Sequence, residues 1–81
     1  MKLQYTRKAL CSLEAAPPAV RKAFYKQAAF LCENLHHPSL RAKKYSEADG
    51  RWQARVNQGW RFYFKIVGGT YIIEDVIPHP K

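Results

Sequence analysis

The chain has 81 residues, 47% of them hydrophobic, and carries fourteen Lys and Arg against six Asp and Glu, a formal net charge of +8. That length suits one domain spanning residues 1–81, with a small core. The charge favours polyanionic partners, of which nucleic acid, an anionic membrane surface and an acidic protein are the candidates. No apolar run approaches the roughly 20 residues of a membrane span. The opening MKLQYTRKAL lacks the apolar block of a secretory signal, so a cytoplasmic protein without membrane attachment is expected.

Lys2 to Tyr5 reads as a short strand with Leu3 and Tyr5 on one side. Thr6 is a candidate N-cap for a short helix through about Ala15 that buries Leu10 and Leu13. Pro17 and Pro18 end it, because the residue before a proline is pushed out of the α region, and Pro18 can open the next helix. That helix runs to about Asn34, with Val20, Phe24, Gln27, Leu31 and Leu35 at helical spacing. Arg21, Lys22 and Lys26 lie off this stripe and read as a solvated face. Cys11 and Cys32 fall on the two helices at heights more than ~10 Å apart, too far for a disulfide. Two free thiols suit a reducing compartment.

His36, His37, Pro38 and Ser39 read as a loop. The two histidines are adjacent, which matches no metal-ligand spacing, and no metal or cofactor is expected. Leu40 to Tyr45 contains Arg41, Lys43 and Lys44 and leads into a polar turn, Ser46 to Gly50; it is either a solubilising loop or a set of phosphate contacts. Gly50 to Val67 reads as a hairpin turning at Asn57, Gln58 and Gly59. Alternation puts Trp52, Ala54, Val56, Trp60, Phe62, Phe64 and Ile66 on an apolar face. Arg51, Gln53, Arg55, Arg61, Tyr63 and Lys65 take the opposite face. Gly68 and Gly69 permit a two-residue turn into a last strand, Thr70 to Ile77, apolar on both faces apart from Glu74 and Asp75, as a central strand would be. The predicted fold is α+β: a small antiparallel sheet against an N-terminal helical hairpin, in the order β–α–α–β–β–β. The first strand pairs at an edge that periodicity does not identify.

Arg55, Arg61, Tyr63 and Gln53 thus project from one face, with His79 at the end of the last strand and Lys43 and Lys44 before the first strand of the hairpin. Guanidinium forks match phosphate oxygens, and a tyrosine can stack on a base, so RNA binding is one reading. Metal-free RNA cleavage needs a base for the 2′-OH, a cation for the phosphate and an acid for the leaving 5′-oxygen. Arg61 and Arg55 suit the cation role. Histidine ordinarily titrates near neutrality, so His79 suits proton transfer. Alternation lets one of Glu74 and Asp75 reach this face from the last strand. Solvated surface residues are the competing reading at each position.

The element order, the segment HPSLRAKK (His37 to Lys44), the hairpin RWQARVNQGWRFYF and the strand ending in HPK together resemble the RelE/ParE toxin superfamily of bacterial toxin–antitoxin modules over nearly the whole chain. The resemblance implies, on its RelE-like branch, an endoribonuclease that cleaves mRNA on the ribosome without a metal and is neutralised by a cognate antitoxin. It implies that Arg61 contacts the scissile phosphate, that Arg55 and Gln53 occupy positions where the family often has basic residues, and that His79 falls near the C-terminal catalytic position. Gln53 departs from that pattern, being neither base nor cation. Lys43, Lys44, Gln53, Tyr63 and Lys81 are the expected RNA contacts. The ParE-like branch shares the fold and inhibits DNA gyrase instead, and its longer helices fit the short first helix here less well. A non-catalytic RNA-binding relic is the third reading.

Overall fold

The computed structural model describes residues 2–79. Its elements are β1 (Lys2–Tyr5), α1 (Arg7–Ala15), α2 (Pro18–Glu33), β2 (Lys43–Ser46), β3 (Arg51–Asn57), β4 (Trp60–Val67) and β5 (Thr70–Pro78). The strands form one sheet in the order β1-β5-β4-β3-β2. The α+β class and the helical hairpin are as expected, with two refinements. Residues of the expected 40–45 connection form an additional edge strand, β2, paired antiparallel to β3. The sheet is mixed, because β1 pairs parallel to β5 at the opposite edge, which places β5 inside the sheet and accounts for its apolar character on both faces.

Thr6 caps α1 by accepting from the backbone N–H of Ala9 at 3.1 Å, and its hydroxyl donates to the carbonyl of Glu74 at 3.0 Å. One side chain therefore starts the helix and fastens it to β5. Ala9 and Leu13 face the core, whereas Leu10 is 54% exposed, a correction to the expected apolar stripe: α1 packs on β5 beside the edge strand β1 and only one narrow side of it is covered. Arg21 is not merely solvated. Its guanidinium donates to the carbonyls of Glu14 and Ala16, satisfying groups that the end of α1 leaves unpaired.

Phe24 of α2 sits at the centre of the core, edge-on to Phe62 at 5.2 Å and to Tyr5 at 6.1 Å. Trp52 stacks against Phe64 at 6.1 Å, and Tyr71 meets Phe64 edge-on at 5.5 Å. Each fully buried aromatic or aliphatic side chain contributes roughly 1.5–3 kcal/mol, so this one interface between helices and sheet carries the fold. The β4–β5 turn uses Gly68 and Gly69 at φ +52° and +77°, the left-handed pair that matches strand twist. Cys11 and Cys32 are free thiols. His37 stacks on Phe30 at 4.0 Å, and its Nδ1 accepts from the backbone N–H of Ser39 at 3.2 Å. Among the described residues no helix is long and apolar enough to cross a membrane.

Candidate functional site

The site grows from the pairing of β3 with β4. Arg55 lies opposite Arg61, Gln53 opposite Tyr63, and Arg51 opposite Lys65, and β2 adds Lys43 opposite Gln53. The helices cover the other side of the sheet, so these residues line its open face. Charge is not uniform along that face. At one end Glu74 neutralises Arg51 and Lys65, at 3.3 and 3.5 Å. At the other, Arg41, Lys43, Gln53, Arg55, Arg61 and His79 surround a concavity of about 280 Å³ with no carboxylate in its lining.

A slip in the β4–β5 register produces this asymmetry. Tyr63 pairs with Asp75 and Phe64 with Ile73, leaving Glu74 as the extra residue of a bulge. Glu74 joins Arg51 and Lys65, while Asp75 is buried against α1, accepting from Ser12 Oγ at 2.6 Å and facing Lys8 at 3.3 Å. One carboxylate does reach the open face, as alternation allows, but away from the arginine pair.

The turn after β3 orients both arginines. Asn57 Oδ1 accepts from the N–H of Gly59 at 2.9 Å, closing the turn. The Asn57 carbonyl then accepts from Arg61 Nη1 at 2.8 Å and Arg55 Nε at 3.4 Å, and the Trp60 carbonyl from Arg61 Nη1 at 2.9 Å. Burial first, then the Arg55 and Arg41 guanidiniums, hold Arg61 below the ordinary arginine value, with Tyr63 acting in the opposite sense; it remains a cation. His79 is pinned to the same turn, its backbone N–H donating to the Gly59 carbonyl at 2.8 Å. Behind Arg55 lies Gln27, which is 5% exposed. Its amide donates to the carbonyls of Arg55 at 2.8 Å and Ser39 at 3.0 Å and accepts from Ser39 Oγ at 3.0 Å.

Of the expected site residues, Arg55, Arg61, His79, Lys43 and Gln53 meet at the concavity, although Gln53 is largely buried. Lys44 does not join them. It lies opposite Trp52, with Nζ 5.9 Å from that ring and 3.7 Å from Glu47, so strand alternation turns it to the other side of the sheet. Tyr63 is on the open face but outside the concavity, with Arg51 over its ring at 4.5 Å and Tyr45 edge-on at 5.3 Å. Lys81 lies outside the described residues. Two residues absent from the expected set belong here. Arg41 lines the concavity from the loop before β2, and Tyr45 flanks Tyr63. Both stand in the basic segment singled out in the sequence, but their directions depend on a strand that segment does not announce.

Solved structures share this architecture. A YoeB/ParE toxin from Agrobacterium tumefaciens superposes with a TM-score of 0.83 at 14% identity, over 99% of this chain and 100% of that one. The fold is that of the RelE/ParE toxins. The YoeB dimer from Staphylococcus aureus gives a TM-score of 0.81 at 13% identity, covering 99% of this chain and 98% of that one. The toxin–antitoxin complex RelBE2 from Mycobacterium tuberculosis gives 0.76 at 21% identity, with 96% of each chain covered. No family model and no curated protein matches the sequence. In this chain the RelE/ParE fold keeps the arginine pair on the uncovered side of the sheet.

Proposed function

We propose that this chain is the toxin of a toxin–antitoxin pair and that it cleaves mRNA on the ribosome. The observation that carries the reading is the carboxylate-free group of Arg41, Arg55, Arg61, Lys43 and His79 around one concavity. RNA supplies its own nucleophile. The 2′-oxygen attacks the adjacent phosphorus, the bond to the 5′-oxygen breaks, and a 2′,3′-cyclic phosphate and a 5′-hydroxyl result. Arg61 and Arg55 stabilise the charge growing on the phosphate oxygens. They are opposite each other on paired strands and share one carbonyl acceptor, so their forks are held before substrate arrives. Both carboxylates of β5 are engaged elsewhere, which leaves His79 and Lys43 to exchange protons here. In this scheme His79 gives a proton to the leaving 5′-oxygen, and Lys43, in its neutral form, takes the proton of the 2′-OH.

The antitoxin fits the same surface. An acidic or amphipathic segment covering Arg55 and Arg61 would remove the phosphate site; a complex that leaves both fully exposed would count against direct occlusion. Induced expression should arrest growth and yield mRNA ends mapped within codons on ribosomes, and Arg61→Ala should relieve both. Equal arrest by Arg61→Ala, or inhibited gyrase supercoiling with intact mRNA, overturns the nuclease reading.

A further inference from the structure

We propose that a second concavity, between α2 and the end of β3, is an anion subsite that takes the continuation of the single-stranded RNA entering the first. The inference rests on the RNA reading of the first concavity. The second is larger, about 550 Å³, within the roughly 300–1,000 Å³ typical of ligand sites. Ala23 and Val56 give it an apolar floor, and Lys26, Arg41 and Arg55 supply cations. Arg41 and Arg55 line both concavities, so one strand can pass from one to the other with a cation at each stage. Among the described residues none of these three cations has a carboxylate within ion-pair distance.

Arg41 stands at the junction by virtue of an uncommon backbone. Its φ is +48°, a left-handed conformation that L side chains other than Asn and Asp seldom adopt. The preceding loop enforces it. Leu40 is fully buried, its N–H donates to the His37 carbonyl at 3.0 Å, and its carbonyl accepts from the Arg55 N–H at 2.8 Å. Such conformations persist where the surroundings over-determine them and gather at functional sites. Here the result is a guanidinium between two cavities.

A nucleotide chain suits this groove better than an acidic peptide. The backbone groups of Arg55 are already taken by Leu40 and Gln27, so the floor offers no main-chain pairing at that point to an added strand. A nucleic acid needs none. Its phosphates meet the cations, and its sugars and bases cover the apolar floor.

The test measures the affinity of 2′-O-methyl RNAs, a trinucleotide and a heptanucleotide, across a salt series. The heptanucleotide should bind the wild-type protein more tightly. Lys26→Glu should weaken the heptanucleotide about fivefold and the trinucleotide less than about twofold, and Lys26→Ala should lower the heptanucleotide's log–log salt slope by about 0.7. Lys26 is exposed, so neither change threatens folding. Arg41→Gly, which suits the same φ, should weaken both RNAs. The inference fails, and the nuclease reading stands, if Lys26→Glu leaves the heptanucleotide unaffected or weakens both RNAs equally while Arg61→Ala still weakens both. Absence of binding by either RNA at low salt overturns both. A polyglutamate peptide that shields Lys26 from acetylation where the heptanucleotide does not overturns it in favour of an acidic protein.

Discussion

On the nuclease reading Arg61 has two tasks, since the turn carbonyls that hold its Nη1 leave the rest of its fork for a phosphate. Losing a preorganised donor to a transition-state oxyanion typically costs 10²–10³ in rate. Arg61→Ala should therefore slow cleavage by about 10²–10³-fold, measured as single-turnover cleavage on programmed ribosomes, and Arg61→Lys should recover only part, because an ammonium lacks the fork. Gln27 works one layer deeper. Gln27→Leu would strand the carbonyls of Arg55 and Ser39 and the Ser39 hydroxyl, at about 2–4 kcal/mol of stability, read from the urea midpoint. The surviving activity should also fall, because Arg55 loses its backing. Helical spacing put Gln27 on the buried stripe; its partners became visible only once the 34–42 loop had been placed against α2.

Among the elements, the α1–β5 junction rests on Thr6. Thr6→Ala removes the helix cap and the bond to Glu74 and should cost about 1–2 kcal/mol, with thermal unfolding as the measurement. The hairpin was legible in the sequence because β3 and β4 alternate over a long run, and this carried Arg55, Arg61, Gln53 and Tyr63 to one face. β2 was not. Its four residues, Lys43 to Ser46, are largely exposed and interrupted by a bulge, so no apolar period marks them. Without β2 no register could separate Lys43 from Lys44, and one faces Gln53 while the other faces Trp52. The fates of Glu74 and Asp75 were hidden likewise, since a bulge defeats a count by twos. The left-handed Arg41 gave no signal, because neither glycine nor asparagine stands there to announce it.

At the scale of the whole molecule, the core holds tyrosines whose ionisation opposes folding. Burial, as the larger cause, raises the phenols of Tyr5 and Tyr71 above the ordinary value of 10.0. The folded state therefore keeps these protons more tightly than the unfolded chain does. Their contribution is in place below about pH 10 and is lost as pH rises through the higher folded values. The urea midpoint should fall as pH rises above about 10, and less steeply in Tyr71→Phe. The placement of β5 has a consequence in time. It is translated after the other described elements, yet it lies between β1 and β4 and ends at Pro78, just before His79 at the arginine pair. A nascent polypeptide that has not yet emerged past that histidine has neither a closed sheet nor a finished cleft, so an activity of the proposed kind could not turn on the ribosome making it before this segment is complete.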